Sequence, residues 1–196
     1  MIKLEEITPR QKLVISKGLL DYRYIMSHLE DMDDDFQAVY YDFYLKARWA
    51  RMSKQVNKDV YFGLLDSISP ETSIIDVLNK LKGKDEKGYE FSIGSKLLHT
   101  VNDSLPIYDR KIREYLCGEK EVYFWWQIPN KISGAPRGMG DMDKIEHDWN
   151  ELCGWYKTFL ILPEGKKWLK WFDETFPGYE DISAVKKVDF IIFAAS

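Results

Sequence analysis

The stretch SIGSKLLHTVNDSLPIYDRKI, residues 92–112, joins an apolar segment to a basic one through a proline turn. On a helical wheel with roughly 100° per residue, its apolar residues share one arc. Lys96 falls on the opposite side, together with His99 and Asp103. The pattern therefore predicts an amphipathic helix over residues 93–101, with Lys96 exposed beside His99. The residues of the buried arc are Ile93, Gly94, Leu97, Leu98 and Val101.

A glycine inside that arc is unusual. Gly94 weakens a helix by about 1 kcal/mol relative to alanine. A glycine at this position would make sense if another backbone must approach closely.

The residues after the apolar segment are typical of a turn and a new helix. Pro106 keeps the residue before it out of the helical region, and the preceding Asn-Asp-Ser favours a turn. Asp109 then stands where an N-cap is wanted, ahead of a helix over residues 109–116. By pattern alone, Asp109 is a helix cap and Lys96 is a surface lysine.

The composition is that of a well-packed, weakly acidic protein. The chain has 196 residues, 45% hydrophobic and 15% aromatic, which is enough for a sizeable core. Its formal net charge is −4, so any contact with DNA must come from a local basic surface. Two cysteines exclude a four-thiolate zinc or iron–sulfur site, and we expect neither metal nor cofactor. No apolar run approaches the length of a membrane span, and a cytoplasmic protein is expected.

Helix signals recur along the whole chain, and strand signals are few. Thr8-Pro9 is typical of a helix start, and the acidic run at residues 31–35 favours another. The predicted class is therefore all-α, as one helical domain over residues 1–196 or as two lobes with a cleft near Lys96. An apolar stripe is predicted on the second helix from Phe36, Tyr40, Phe43, Ala47 and Ala50. The other predicted helices cover residues 9–28, 56–68, 69–82, 93–101, 109–116, 142–159, 164–175 and 182–194.

Three other features have two interpretations each. EVYFWWQI, residues 121–128, fits a short strand or a buried helical turn. The Gly/Pro-rich residues 129–141 form either a DNA-contacting loop or a plain surface loop. Asp189 stands on the apolar stripe of the last helix and needs a partner there. A salt bridge or a helix-cap contact is favoured for Asp189, and a second acid in a pocket is the alternative.

The quoted stretch resembles the helix-hairpin-helix DNA glycosylases, the superfamily of oxoguanine glycosylase and endonuclease III. Their motif is a hairpin ending in Val-Gly-x-Lys, then a helix, then Pro-Val-Asp at the start of another helix. The matching residues here, within residues 90–117, are Ile93-Gly94-Ser95-Lys96 and Pro106-Ile107-Tyr108-Asp109. The family hairpin usually reads Leu-Pro-Gly-Val-Gly, whereas this chain has Phe91-Ser92-Ile93-Gly94. The resemblance implies a distant relative with a glycosylase-like helical fold.

The resemblance also implies a function: a glycosylase or abasic-site lyase acting on damaged DNA bases. Lys96 would attack the sugar C1′ and form a Schiff base, and Asp109 would activate it and stabilise the developing positive charge. His99 is a candidate for depressing the lysine pKa, which a nucleophilic lysine requires. The alternative is a non-catalytic helical binding or accessory protein that retains the fold. The residues implied in contacting DNA or the flipped base are Ser92, Gly94, His99, Tyr108, Arg110, Lys111, Trp125 and Trp126.

Overall fold

A computed structural model of the chain describes residues 2–46, 58–81, 90–119, 122, 124 and 140–195. The chain divides into an N-terminal unit, Thr8–Asn102, and a C-terminal unit, which joins Met1–Ile7 to Asp103–Ser196. Over the described residues the fold is all-helical, as predicted, and contains no β-strand. None of the helices described is both long enough and apolar enough to cross a membrane. After a 3₁₀ turn at Leu4–Glu6 come α1 (Pro9–Ser27), α2 (Asp34–Tyr40), α3 (Lys58–Ser67), α4 (Ile74–Leu81), α5 (Phe91–Val101), α6 (Arg110–Gly118), α7 (Asp141–Ile161), α8 (Pro163–Thr175) and α9 (Ala184–Ala195).

Two predicted helix starts are confirmed by their capping contacts. The Thr8 hydroxyl oxygen accepts a hydrogen bond from the Gln11 N–H at 3.3 Å, and the Gln11 side chain accepts one from the Thr8 N–H at 2.8 Å. Pro9 follows at the first position of α1, where no N–H is needed. Asp33 caps α2 by accepting from the Phe36 N–H at 2.8 Å. The other helices, α4 excepted, lie close to their predicted bounds.

The predicted apolar stripe of α2 is only partly correct, because the helix changes its period. Phe36 and Tyr40 of the stripe are fully buried, but α2 continues as a π-helical segment at Tyr41–Leu45. A π-helix takes more residues per turn and so shifts which side chains face the core. Tyr44 is buried there, whereas Phe43 is half-buried. Ala47 and Ala50 lie outside the described residues.

The helix predicted to open at Ser69 begins later, at Ile74. Ser69 and Thr72 instead form a turn in which they are hydrogen-bonded to each other. The Thr72 N–H donates to the Ser69 carbonyl at 3.0 Å, and the Thr72 hydroxyl accepts from the Ser69 N–H at 2.9 Å. Ser73 then makes the helix-starting contact, accepting from the Asp76 N–H at 3.1 Å. The prediction is wrong because two similar Ser/Thr signals follow each other closely.

The helix that carries Lys96, α5, is buried on every side, which its amphipathic pattern does not predict. Residues 91–100 are all buried. α5 packs against α4, and a Cβ on Gly94 would lie 2.7 Å from the Leu78 Cδ2 atom and 3.4 Å from the Ile74 Cδ1 atom. A close neighbour at Gly94 therefore exists, and the nearest atoms belong to the side chains of Leu78 and Ile74.

In the C-terminal unit, α9 packs against α6, α7 and α8. The core there is aromatic, with Trp168 of α8 and Tyr156 of α7 fully buried. Only Leu162 separates α7 from α8. The connection is so tight that a Cβ on Gly165 would overlap the backbone carbonyl of Phe159. Glycine is therefore required at this position for the two helices to meet.

Candidate functional site

Lys96 is buried, so the prediction that it is exposed is wrong. It is 7% exposed, and its Nζ donates a hydrogen bond to the Tyr44 carbonyl at 2.9 Å. Tyr44 lies in the π-helical segment, where backbone carbonyls are displaced from the regular α-helical ladder. Lysine is almost never buried without a partner, and this carbonyl provides one. The helical wheel failed here because the polar side of α5 also packs against another helix.

His99 is buried as well, not exposed as predicted. Its Nε2 lies 3.2 Å from the hydroxyl of Tyr22 on α1. His99 therefore contacts α1, whereas Lys96 contacts the π-helical segment. Asp103, the third residue expected on this face, follows the end of α5 and belongs to the C-terminal unit. The three residues do not form the exposed polar face that the pattern predicts.

A line of buried hydroxyls supports the backbone of α5 near Lys96. The Tyr40 hydroxyl lies 3.0 Å from the Tyr61 hydroxyl and 2.9 Å from the Thr100 hydroxyl. Thr100 in turn donates to the Lys96 carbonyl at 2.8 Å. Burial raises the pKa of Tyr40 to about 12, so its hydroxyl stays neutral at ordinary pH. These bonds tie α5 to α2 and α3.

The residues that match the glycosylase hairpin form the first turn of α5. Residues 91–94 are helical and buried. The Ser92 hydroxyl is buried and has no hydrogen-bond partner among the described residues. Gly94 is covered by Leu78. Neither residue lies at the surface, and their contact with DNA stays a prediction.

Asp109 is the N-cap of α6, as its position in the sequence predicts. It is half-buried, and its Oδ1 accepts a hydrogen bond from the Lys111 N–H at 2.9 Å. The Lys111 ammonium donates to the Phe193 carbonyl at 2.8 Å and lies 4.1 Å from the centre of the Phe193 ring. Arg110 is exposed, with its Nε 3.7 Å from a Glu114 carboxylate oxygen. Of the two basic residues implied in DNA contact, Arg110 is the more exposed, and the Lys111 ammonium is held by Phe193.

Tyr108 is a core residue of the C-terminal unit. Its hydroxyl donates to Oδ2 of Asp148 at 3.4 Å, and Oδ1 of the same carboxylate lies 3.2 Å from the His147 Nδ1. Asp148 is 0% exposed. Burial, with the charge of Asp148, raises the pKa of Tyr108. The Tyr108 ring packs edge-on against Phe124 at 5.4 Å between centres, and base stacking on this ring stays a prediction.

Asp189 is buried on α9, 5% exposed, and its direct partner is a tyrosine. The Tyr156 hydroxyl donates to Oδ1 of Asp189. Oδ2 is buried and has no hydrogen-bond partner among the described residues. The pKa of Asp189 is raised to about 7, chiefly by burial and also by the charge of Asp109, while Lys186 and the Tyr156 hydroxyl oppose the rise. The sequence predicts a salt bridge or a helix-cap contact for Asp189, or else a second acid in a pocket, whereas the direct partner is a tyrosine hydroxyl.

Sequence reasoning misses two polar residues of α7, Asp148 and Tyr156. Both lie on the buried stripe of that helix, in register with Ile145 and Leu152. The spacing places Asp148 on this buried stripe, and a carboxylate there needs a partner, just as Asp189 does on α9. The partners themselves lie on other helices, and spacing does not identify them.

Several predicted site residues lie outside the described residues. These include the two tryptophans, Trp125 and Trp126, and most of the loop at 129–141. Of the run at 121–128, Val122 and Phe124 are described, and both are buried. Among the residues described, no group of three or more His, Cys, Asp or Glu side chains could hold a metal ion.

The structure groups the candidate residues into two sets, one in each unit. Lys96 and its partner Tyr44 belong to the N-terminal unit. Asp109 belongs to the C-terminal unit, within electrostatic range of Asp189 and Tyr156. A catalytic pairing of Lys96 with Asp109 therefore stays a prediction.

No protein-family model, curated protein or solved structure matches the chain. The likeness to the glycosylases therefore rests on the motif residues within 90–117. What the structure defines directly is an all-helical protein with a buried lysine in one unit and a buried carboxyl–tyrosine pair in the other.

Proposed function

We propose that the chain is a DNA glycosylase or abasic-site lyase acting on damaged bases, with Lys96 as nucleophile and Asp109 as its electrostatic partner. The observation that carries the proposal is the burial of Lys96 on a helix whose sequence resembles the glycosylase motif. The proposal takes the roles of both residues from that resemblance.

The surroundings of Lys96 support a nucleophilic role. Lysines that form Schiff bases are typically activated by desolvation or by a neighbouring cation, and Lys96 is 7% exposed. Its ammonium is held 2.9 Å from the Tyr44 carbonyl, within a π-helical segment. Single π-helical turns within α-helices occur frequently at functional sites. A desolvated amine held in one position is what attack on a sugar carbon requires.

In the proposed reaction the Lys96 amine attacks C1′ of an extruded nucleotide, and the damaged base leaves with the bonding electrons. The nitrogen then loses a proton, and the bond between C1′ and the ring oxygen O4′ breaks with its electrons going to O4′, which takes up a proton. The bond between nitrogen and C1′ thereby becomes a protonated imine. The Asp109 carboxylate stabilises the positive charge on the sugar. Extruding a nucleotide costs a few kcal/mol, which contacts in a pocket offset. Arg110, exposed at the start of α6, fits a contact with a DNA phosphate.

A second candidate function is a non-catalytic helical binding or accessory protein. The buried first turn of α5, residues 91–94, favours it, because a hairpin that grips phosphate has to reach the surface. In this alternative, Lys96 is a structural group that ties α5 to the π-helical segment through Tyr44. The net charge of −4 also favours a partner other than DNA.

Borohydride trapping separates the two functions. The protein is incubated with duplexes that carry an oxidised base, a uracil or an abasic site, and any Schiff base is then reduced to a stable adduct. We expect an adduct with at least one duplex and none with Lys96→Ala. Lys80→Ala, which removes an exposed lysine of α4, is the matched control and should keep the adduct.

Two further variants control for folding and test the carboxylate. Lys96→Met keeps most of the side-chain volume, so it should fold and still form no adduct. Asp109→Asn removes the charge but keeps a good N-cap, so it should slow adduct formation with little change in stability. If the wild-type protein forms no adduct and releases no base from any of these duplexes, the enzymatic proposal is refuted and the accessory function is favoured.

A further inference from the structure

We propose that Asp189 is a buried proton-binding site that makes the packing of α9 in the C-terminal unit sensitive to pH. The inference is independent of the proposed function, because it depends only on the contacts of one carboxyl group within one unit. It would hold equally for an enzyme and for a binding protein.

The contacts of Asp189 favour a neutral carboxyl. The residue is 5% exposed, so both oxygens lose the water that surrounds them in the unfolded chain. Oδ1 regains one hydrogen bond, from the Tyr156 hydroxyl. Oδ2 is buried and regains none from the described residues. Burying a carboxylate with one hydrogen bond is far more costly than burying a neutral carboxyl, so the folded protein favours the protonated form.

Three groups around Asp189 influence this balance directly. From α7, the Tyr156 hydroxyl stabilises the carboxylate by donating to it. From the start of α6, the Asp109 carboxylate disfavours a second negative charge nearby. On α9 itself, the Lys186 ammonium favours the charged form and lies 5.1 Å from the centre of the Phe190 ring. Burial outweighs the two favourable contacts.

Two other contacts of charged groups join α9 to the helices around it. On α8, the Asp173 carboxylate pairs with Lys187 of α9 at 2.7 Å. On α6, the Lys111 ammonium bonds to the Phe193 carbonyl near the end of α9. This last contact links the end of α9 to α6, whose N-cap is Asp109.

The direction of the pH effect follows from the two states of Asp189. Its pKa is about 7 in the folded protein, whereas an aspartate in an unfolded chain has a pKa of about 3.9. Between these values the folded protein holds a proton that the unfolded chain has lost. The stability contributed by Asp189 is therefore fully present below about pH 4 and is lost as the pH rises to about 7. Across that window, the unfolding constant should rise by up to about tenfold per pH unit.

The test is urea unfolding of the full chain and of Asp189→Asn from about pH 4.5 to about pH 8.5. The variant cannot titrate at this position. We expect the ratio of wild-type to variant unfolding constants to rise on the order of a hundredfold between about pH 4.5 and pH 7.5. The matched control is Glu151→Gln, which removes an exposed carboxylate of α7. The ratio of the wild-type unfolding constant to that of Glu151→Gln should stay nearly constant over that range.

A second measurement keeps the proposal testable if Asp189→Asn does not fold. Carbon-13 NMR of the aspartate side chains in the wild-type protein should show one carboxyl titrating near pH 7. In Tyr156→Phe that titration should move to higher pH, because the hydroxyl that favours the carboxylate is gone. An unfolding ratio that is the same at every pH, or spectra in which every aspartate titrates at acidic pH, would overturn the proposal.

Discussion

Replacing Gly94 with alanine should destabilise the N-terminal unit, whereas the same replacement at Gly63 should stabilise it. Both glycines lie inside helices, Gly94 in α5 and Gly63 in α3. Each change should therefore gain about 1 kcal/mol of helix propensity. The surroundings differ, because a Cβ at Gly94 would lie 2.7 Å from the Leu78 Cδ2 atom, and a Cβ at Gly63 would meet no described atom within 4 Å.

The magnitude follows from how far Leu78 can yield. Leu78 is buried in the contact between α4 and α5 and cannot swing into solvent. Overpacking of this kind costs roughly 1–3 kcal/mol, which exceeds the gain of about 1 kcal/mol from propensity. We therefore expect a net loss of about 1 kcal/mol for Gly94→Ala. The two alanine variants should then differ by about 2 kcal/mol.

The assay is urea unfolding followed by far-UV circular dichroism, compared as free energies of unfolding. Leu78→Ala, made alone and together with Gly94→Ala, completes a double-mutant cycle. The shorter side chain leaves room for the new methyl group, so the two changes should couple by at least about 0.5 kcal/mol. If Gly94→Ala stabilises the protein as much as Gly63→Ala does, side-chain packing is not the reason for the glycine.

Three other substitutions each test one contact, and all are measured as changes in the free energy of unfolding. Gly165→Ala should cost about 3 kcal/mol, because the new Cβ overlaps the Phe159 backbone, which cannot rotate away. Asp109→Ala should cost about 1 kcal/mol by removing the N-cap of α6, while Asp109→Asn should cost little. Tyr40→Phe should cost about 1–3 kcal/mol because it removes the central hydroxyl of a buried network. Each contact is contradicted by one result. The results are an unchanged free energy of unfolding in Gly165→Ala or in Tyr40→Phe, and a loss in Asp109→Asn as large as that in Asp109→Ala.

Most helix starts could be predicted because capping is local. The Thr8 side chain accepts a hydrogen bond from the residue three positions later, and the Asp109 side chain accepts one from the residue two positions later. Both members of each contact therefore lie close together in the sequence. The start of α4 is the exception. Ser69 and Ser73 both make such local contacts, and spacing alone does not show which one opens the helix.

The candidate site could be predicted only as a set of residues. Lys96 and Asp109 are recognisable from the motif, and Asp189 from its place on an apolar stripe. The wheel placed Lys96 in solvent because it assumes that one face of a helix is open, whereas α5 is covered on all sides. The carboxyl–tyrosine pair of Asp189 and Tyr156 could not be predicted, because nothing in the spacing of α9 points to α7.

Helical periodicity and caps act within one or two turns, and so the amino-acid order is enough to establish an all-helical chain and the ends of most helices. The environment of the polar groups depends on which helices pack together. Lys96 meets the carbonyl of Tyr44 across 52 residues, and His99 meets Tyr22 across 77. Contacts over such distances form only when separate helices bury their faces against each other. For that reason packing, and not the local pattern, converts an apparent surface lysine into a buried one.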